Sequence, residues 1–217
     1  TAVTELDKLG LSVMMHAVGD VAVRNAMDAV AAARRTNGSN GPRHILAHTY
    51  SVHPDDKGRG RDLNIAFEIS PPDLWFPSNL SRAAVPMIGR DRARAAIPAR
   101  SMLAAGDVIC YGSDWDNIPQ PDPWLALEGL VTRQRPGAPQ AGFIGRDEAL
   151  DLPTALEVLT YNGAWALGLE ETTGSIEVGK SADMIVLNQN LFEVPLSDIH
   201  RTRVKTTLLR GRTVFSQ

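Results

Sequence analysis

The chain has 217 residues, of which 43% are hydrophobic and 22% charged, and its net charge is −3. That suffices for one moderate domain, or one domain plus an appendage, with a real core. The slightly acidic balance excludes a basic nucleic-acid surface, and no apolar run reaches the roughly 20 residues that a membrane helix needs. A single cysteine, Cys110, excludes an internal disulfide and suits a reducing cytoplasm.

In chain order, residues 4–10 read as the last turns of a helix stopped by Gly10, with no initiator Met and no signal peptide before them. The chain is therefore expected to start inside a fold. An apolar strand over 11–16 ends on His16. Asp20 is placed as the N-cap of a helix over 21–35, where Val23, Met27, Val30 and Ala31 recur at helical spacing. The turn-rich stretch 36–42 leads to a second strand, 43–48, ending on His48. After a polar stretch with a short helix, a third strand spans 64–70, where Ile65, Phe67 and Ile69 alternate with Ala66, Glu68 and Ser70. A long loop carrying Trp75 and Phe76 follows, then one helix over 90–105 stopped by Gly106. A fourth strand, 107–112, runs into Asp114. Helices over 123–132 and 153–167 come next, the latter closed by Gly168. Beyond Glu171 the texture becomes short strands at 174–178, 183–187, 205–209 and 213–215, with no helix required. The expected domains are thus 1–170 and a small β appendage, 171–217.

Alternating strands and helices imply an α/β parallel sheet with right-handed crossovers. Three strands end on side chains that hold metals: His16, His48 and Asp114. A closed barrel gathers such strand ends at one face. Two imidazoles and a carboxylate are the ligand types of a catalytic zinc or non-haem iron site with open positions. Four βα units make half of a (β/α)8 barrel, because a complete one takes about 250 residues against roughly 160 here. An open half leaves two bare parallel edges. The missing half is expected from an N-terminal part of the same protein or from a second chain, and self-association is a further possibility.

The whole chain resembles the C-terminal half of the amidohydrolase superfamily, in its amidohydrolase-3 (YtcJ-like) group of metal-dependent hydrolases. The segment from His16 through Ala17, Val18 and Gly19 to Asp20 is similar to that group's fifth barrel strand. Leu46-Ala47-His48 is similar to the sixth, and Gly112-Ser113-Asp114-Trp115 to the eighth. The stretch 174–183, which reads GSIEVGKSAD, resembles the chain's return into a small β-sandwich and is the most specific of the four. The resemblance implies hydrolysis of amide or related C–N bonds of a small-molecule substrate. It implies His16 and His48 as metal ligands, with Asp114 as both ligand and proton acceptor. Zinc is the expected metal, with one or two ions in a complete protein. The family's H-x-H pair on strand one and its bridging group on strand four are absent from this sequence, so half of the expected site is present.

Other residues carry weaker signals. His44 shares a strand face with His48 but lies about 13 Å deeper, which assigns it to the core. His53, Trp75 and Trp115 are candidates to line a substrate pocket from loops at the strand ends. Glu68 points into the barrel interior as a buried polar contact, His200 is expected at the surface, and Cys110 is an inert buried thiol. A competing reading is a catalytically incomplete, metal-free binding module, which the missing H-x-H favours. A different barrel enzyme, a lyase or phosphate-binding isomerase, would need a glycine-rich phosphate loop, and the sequence has none.

Overall fold

The structure, a computed structural model, describes residues 1–70, 79–118 and 121–217. Helix α1 (Ala2–Lys8) is capped by Thr1, whose Oγ accepts the Thr4 N–H at 3.3 Å. It gives way at Gly10 (φ 74°) to strand β1 (Met14–Ala17). Helix α2 (Asp20–Asn37) buries Val23, Met27 and Val30, the stripe expected from their spacing. Its N-cap is Gly19 rather than Asp20. Asp20 is the first helical residue, and its Oδ1 accepts the Val21 N–H at 3.1 Å, where a negative charge suits the helix dipole.

Strand β2 (His44–His48), helix α3 (Arg59–Leu63) and strand β3 (Ile65–Ile69) follow, then helices α4 (Asn79–Ile88), α5 (Arg90–Arg94) and α6 (Ala99–Ala104), and strand β4 (Val108–Tyr111). The single helix expected over 90–105 is two. Ile97 takes a positive φ of 50° and Pro98 stands as the N-cap of α6, because proline lacks the N–H that a continuous helix needs. Helix α7 (Pro123–Thr132) has the expected limits. The helix expected over 153–167 is α8 (Leu152–Leu159) and α9 (Tyr161–Ala166), separated at Thr160 (φ −127°, ψ −86°).

The strands β1-β2-β3-β4 form one parallel sheet in chain order, with registers such as Met14 to Ile45, Ile45 to Ala66 and Ala66 to Val108. Every residue of β3 is buried, including the positions expected to alternate. A parallel strand covered on both faces has no solvent side. Val23, Met27, Leu46, Phe67, Ile109 and Leu127 belong to one continuous buried cluster. Each such side chain contributes about 1.5–3 kcal/mol relative to exposure.

The remaining strands, β5 (Met184–Leu187), β6 (Val204–Leu209) and β7 (Arg212–Ser216), form a separate antiparallel sheet. Arg210 (φ 50°) and Gly211 (φ 73°) make the two-residue turn between β6 and β7, and both positive φ values match the twist that such hairpins require. Two expectations fail here. Residues 174–178 contain no strand, and a 3-10 helix at Leu196–Arg201 stands where no helix was needed. That turn is set by tertiary contact. Ile199 is fully buried in the same cluster as Leu127 and Leu130, and His200 is bonded to Glu128 of α7 through both its main-chain N–H (2.8 Å) and Nδ1 (2.7 Å). His200 is accordingly part-buried rather than a surface residue.

Candidate active site

The carboxyl ends of the four strands open into a cleft of about 660 Å³ lined by His16, His48, Glu68, Ser70, Gly112 and Asp114, among others. Parallel pairing in register brings these residues to one end of the sheet. His16 on β1 pairs with Ala47 and Ala17 with His48, so the two imidazoles are neighbours across adjacent strands. Their ring centroids lie 4.5 Å apart, edge to face at 67°.

His48 is held closely. Its Nδ1 lies 3.1 Å from both the carbonyl and the hydroxyl oxygen of Ser70, and its main-chain N–H donates to Glu68 Oε2 at 3.0 Å. An Nδ1–H given to the Ser70 carbonyl leaves the Nε2 lone pair as the one able to bind a metal, the arrangement that orients most metal-ligating histidines. The donor set therefore fits a divalent ion on the His16–His48 side. Asp114 lies in the same cleft at φ 55°, beyond the end of β4. Its Oδ2 accepts from Asn117 Nδ2 at 3.0 Å, and its carbonyl accepts the Asn117 N–H at 2.8 Å. Among the described residues no three His, Cys, Asp or Glu side chains already stand close enough to enclose an ion.

The other candidates divide. His53 is 44% exposed on its side chain, and its Nδ1 accepts the Asp55 N–H at 3.3 Å as the cap of a short turn at Pro54–Asp56. Trp115 is 68% exposed, and its N–H donates to Ser113 Oγ at 3.2 Å. Neither is among the residues that line the cleft. Trp75 and Phe76 lie outside the described residues. Cys110 reaches the cleft wall but is buried, and burial, with the nearby Glu68 charge, pushes its thiol up to about 12.

His44 is at the opposite end of the sheet with no exposed surface. Its Nε2 meets Asp7 Oδ1 at 3.0 Å, and its Nδ1 accepts the Val13 N–H at 3.1 Å. Sequence reasoning missed the supports of His48. The alternation along β3 places Glu68 and Ser70 on one face two residues apart, which was the available signal.

The model for the amidohydrolase family matches residues 1–215. The chain belongs to that family. It is 24% identical over 208 residues to YtcJ of Bacillus subtilis, covering 96% of this chain and 38% of that protein. It is 25% identical over 213 residues to the N-substituted formamide deformylase of Arthrobacter pascens, covering 94% of this chain and 36% of the relative. This family member thus spans little more than a third of the length of those curated relatives. Among solved structures, an adenosine deaminase from Xanthomonas campestris with bound zinc superposes with a TM-score of 0.66 at 19% identity, covering 99% of this chain and 47% of the other. At that identity the likeness is one of fold.

Proposed function

We propose that this chain supplies one half of a metal-dependent hydrolase site that cleaves an amide or other non-peptide C–N bond of a small molecule. The observation that carries the reading is the meeting of His16, His48 and Asp114 at one mouth of a parallel sheet, in a chain of the amidohydrolase family. In this reading residues 1–170 are strands five to eight of a (β/α)8 barrel, and 171–217 are strands of a small β-sandwich. The upstream half, from the same polypeptide or a second chain, brings the ligands that this sequence lacks. The N-substituted formamides named for the Arthrobacter relative suggest formyl or acyl amides as the substrate class, acted on in the cytoplasm.

His16 and His48 would hold the ion, zinc by ligand type, with Asp114 completing its coordination. Such an ion would polarise the substrate carbonyl and lower the pKa of bound water to about 7. Asp114 takes the proton of the attacking water on a carboxylate oxygen and delivers it to the leaving nitrogen, while Asn117 holds Oδ2 and keeps the carboxylate oriented. Ser70 holds the His48 ring in one tautomer.

The test is hydrolysis by the natural full-length polypeptide carrying Asp114→Asn, with metal content measured in parallel. Turnover should drop by about 10²–10⁴-fold with KM little changed, the range of a lost general base. Near-normal rates at full metal occupancy would remove Asp114 from the mechanism. The second reading, a metal-free binding module, draws on the lack of a closed three-ligand group among the described residues. Stoichiometric metal retained after extensive dialysis would eliminate it.

A further inference from the structure

His48 stands in a backbone conformation that side-chain-bearing residues rarely adopt. Its φ is 71°, and that of Thr49 is 38°. Such a conformation persists only where its surroundings hold it. Glu68 of β3 and Ser70 just beyond its end do so: Ser70 holds the ring, and the Glu68 carboxylate, 7% exposed, takes the main-chain N–H. The end of β4 leaves room for it. A Cβ at Gly112 would collide with Glu68 Oε1, so only glycine there admits the carboxylate in this position.

We propose that Glu68 is a positioning residue, which clamps the His48 main chain in its left-handed conformation, and that Gly112 provides the space for the clamp. The inference rests on reading His48 as a metal ligand. Glu68 acts through His48 as a hydrogen-bond acceptor, and its negative charge is not required at the metal. This separates it from a further ligand or a general base. Glu68→Gln keeps an acceptor of the same shape, whereas Glu68→Met keeps the length and loses the acceptor.

Two measurements on the natural full-length polypeptide decide the matter. The first is hydrogen exchange at the His48 amide in metal-free protein. Glu68→Met should speed it by tenfold or more, and Glu68→Gln should leave it within about threefold of wild type. The second is cobalt(II) affinity, read from the visible absorption of the bound ion in competition with a chelator. Glu68→Met should weaken it by about 10–100-fold, the usual effect of losing a support behind a ligand, and Glu68→Gln should bind nearly as wild type. Gly112→Ala, which displaces the carboxylate without removing it, should behave like Glu68→Met and serves if that variant does not fold.

Unchanged His48 exchange in Glu68→Met and Gly112→Ala would overturn the clamp. Faster exchange with wild-type cobalt affinity would overturn the positioning role, as would Glu68→Gln as damaging to affinity as Glu68→Met. A His48→Ala protein that binds cobalt like wild type would overturn the reading of His48 as a ligand, while the exchange measurement still decides the Glu68 contact.

Discussion

Arg133 has no exposed surface, and its guanidinium donates to the carbonyl oxygens of Ala96 (2.7 Å), Ile97 (3.3 Å) and Ile144 (2.9 Å). Burial brings its pKa down to about 10, which still leaves it charged at neutral pH. It joins the α5–α6 bend to the loop after α7. Ile97 also accepts the Ala99 N–H at 2.8 Å, so Arg133→Met should take the donor from the Ala96 and Ile144 carbonyls and cost on the order of 3 kcal/mol, read as a lowered urea midpoint with an unchanged slope. A loss below about 0.5 kcal/mol would show that the carbonyls find water instead. In the sequence Arg133 is only a polar residue after a helix. No local pattern announces a side chain whose partners are 11 to 37 positions away. Cys110, in contrast, was legible as a buried thiol from its apolar strand. With its thiol at about 12, it should react with a maleimide at neutral pH only as fast as the chain unfolds.

The elements at the amino end of the sheet are joined by a buried polar cluster. Asp7 of α1 pairs with Arg34 of α2, accepts from Asn37 at 2.9 Å and meets His44 of β2 at 3.0 Å, while Arg34 also donates to Leu63 and Pro42 carbonyls. Burial holds the His44 pKa below its ordinary value, aided by the Arg34 charge and opposed by Asp7. Burial raises the Asp7 carboxyl, but Asn37, His44 and Arg34 outweigh it and leave the net shift downward. Both groups thus bind protons more readily in the unfolded chain. The His44 contribution is complete above its unfolded value of about 6.5 and fades as pH falls from there toward its folded value. The Asp7 contribution is complete above about 3.9 and fades below it. The stability gap between wild type and His44→Gln should therefore be widest above pH 6.5 and shrink under acid, by urea unfolding across pH 8 to 5. A gap that does not change with pH would mean that His44 has the same pKa folded and unfolded. The core assignment of His44 followed from strand spacing, but its partners on α1 and α2 did not.

Across the whole molecule, the two ends of the parallel sheet differ. Strand β1 is open, with Met14 59% exposed, whereas the β4 edge is partly covered by Asn162 of α9, whose amide donates to the Ile109 carbonyl at 2.9 Å. The antiparallel sheet also shows apolar side chains to solvent, Val186 (51% exposed) and Val214 (59% exposed) among them. Unpaired edges and apolar patches of this kind invite association. The chain by itself should bind a hydrophobic dye and sediment as more than a monomer, and supplying the upstream half should suppress both. A dye-silent monomer would contradict the half-barrel proposal.

The order of the four parallel strands and the strand ends carrying His16, His48 and Asp114 followed from the sequence alone. Hydrophobic periodicity and chain-order crossovers are local signals, and a parallel register converts them directly into neighbouring strand ends. What only the tertiary structure decided were the features made by residues distant in sequence. The Leu196–Arg201 turn forms on Glu128 and the core beside α7, and His48 is bonded through its main chain to Glu68 and through its ring to Ser70. Each depends on a hydrogen bond or buried contact across 20 or more positions, and such a contact leaves no period in the sequence for a reader to find.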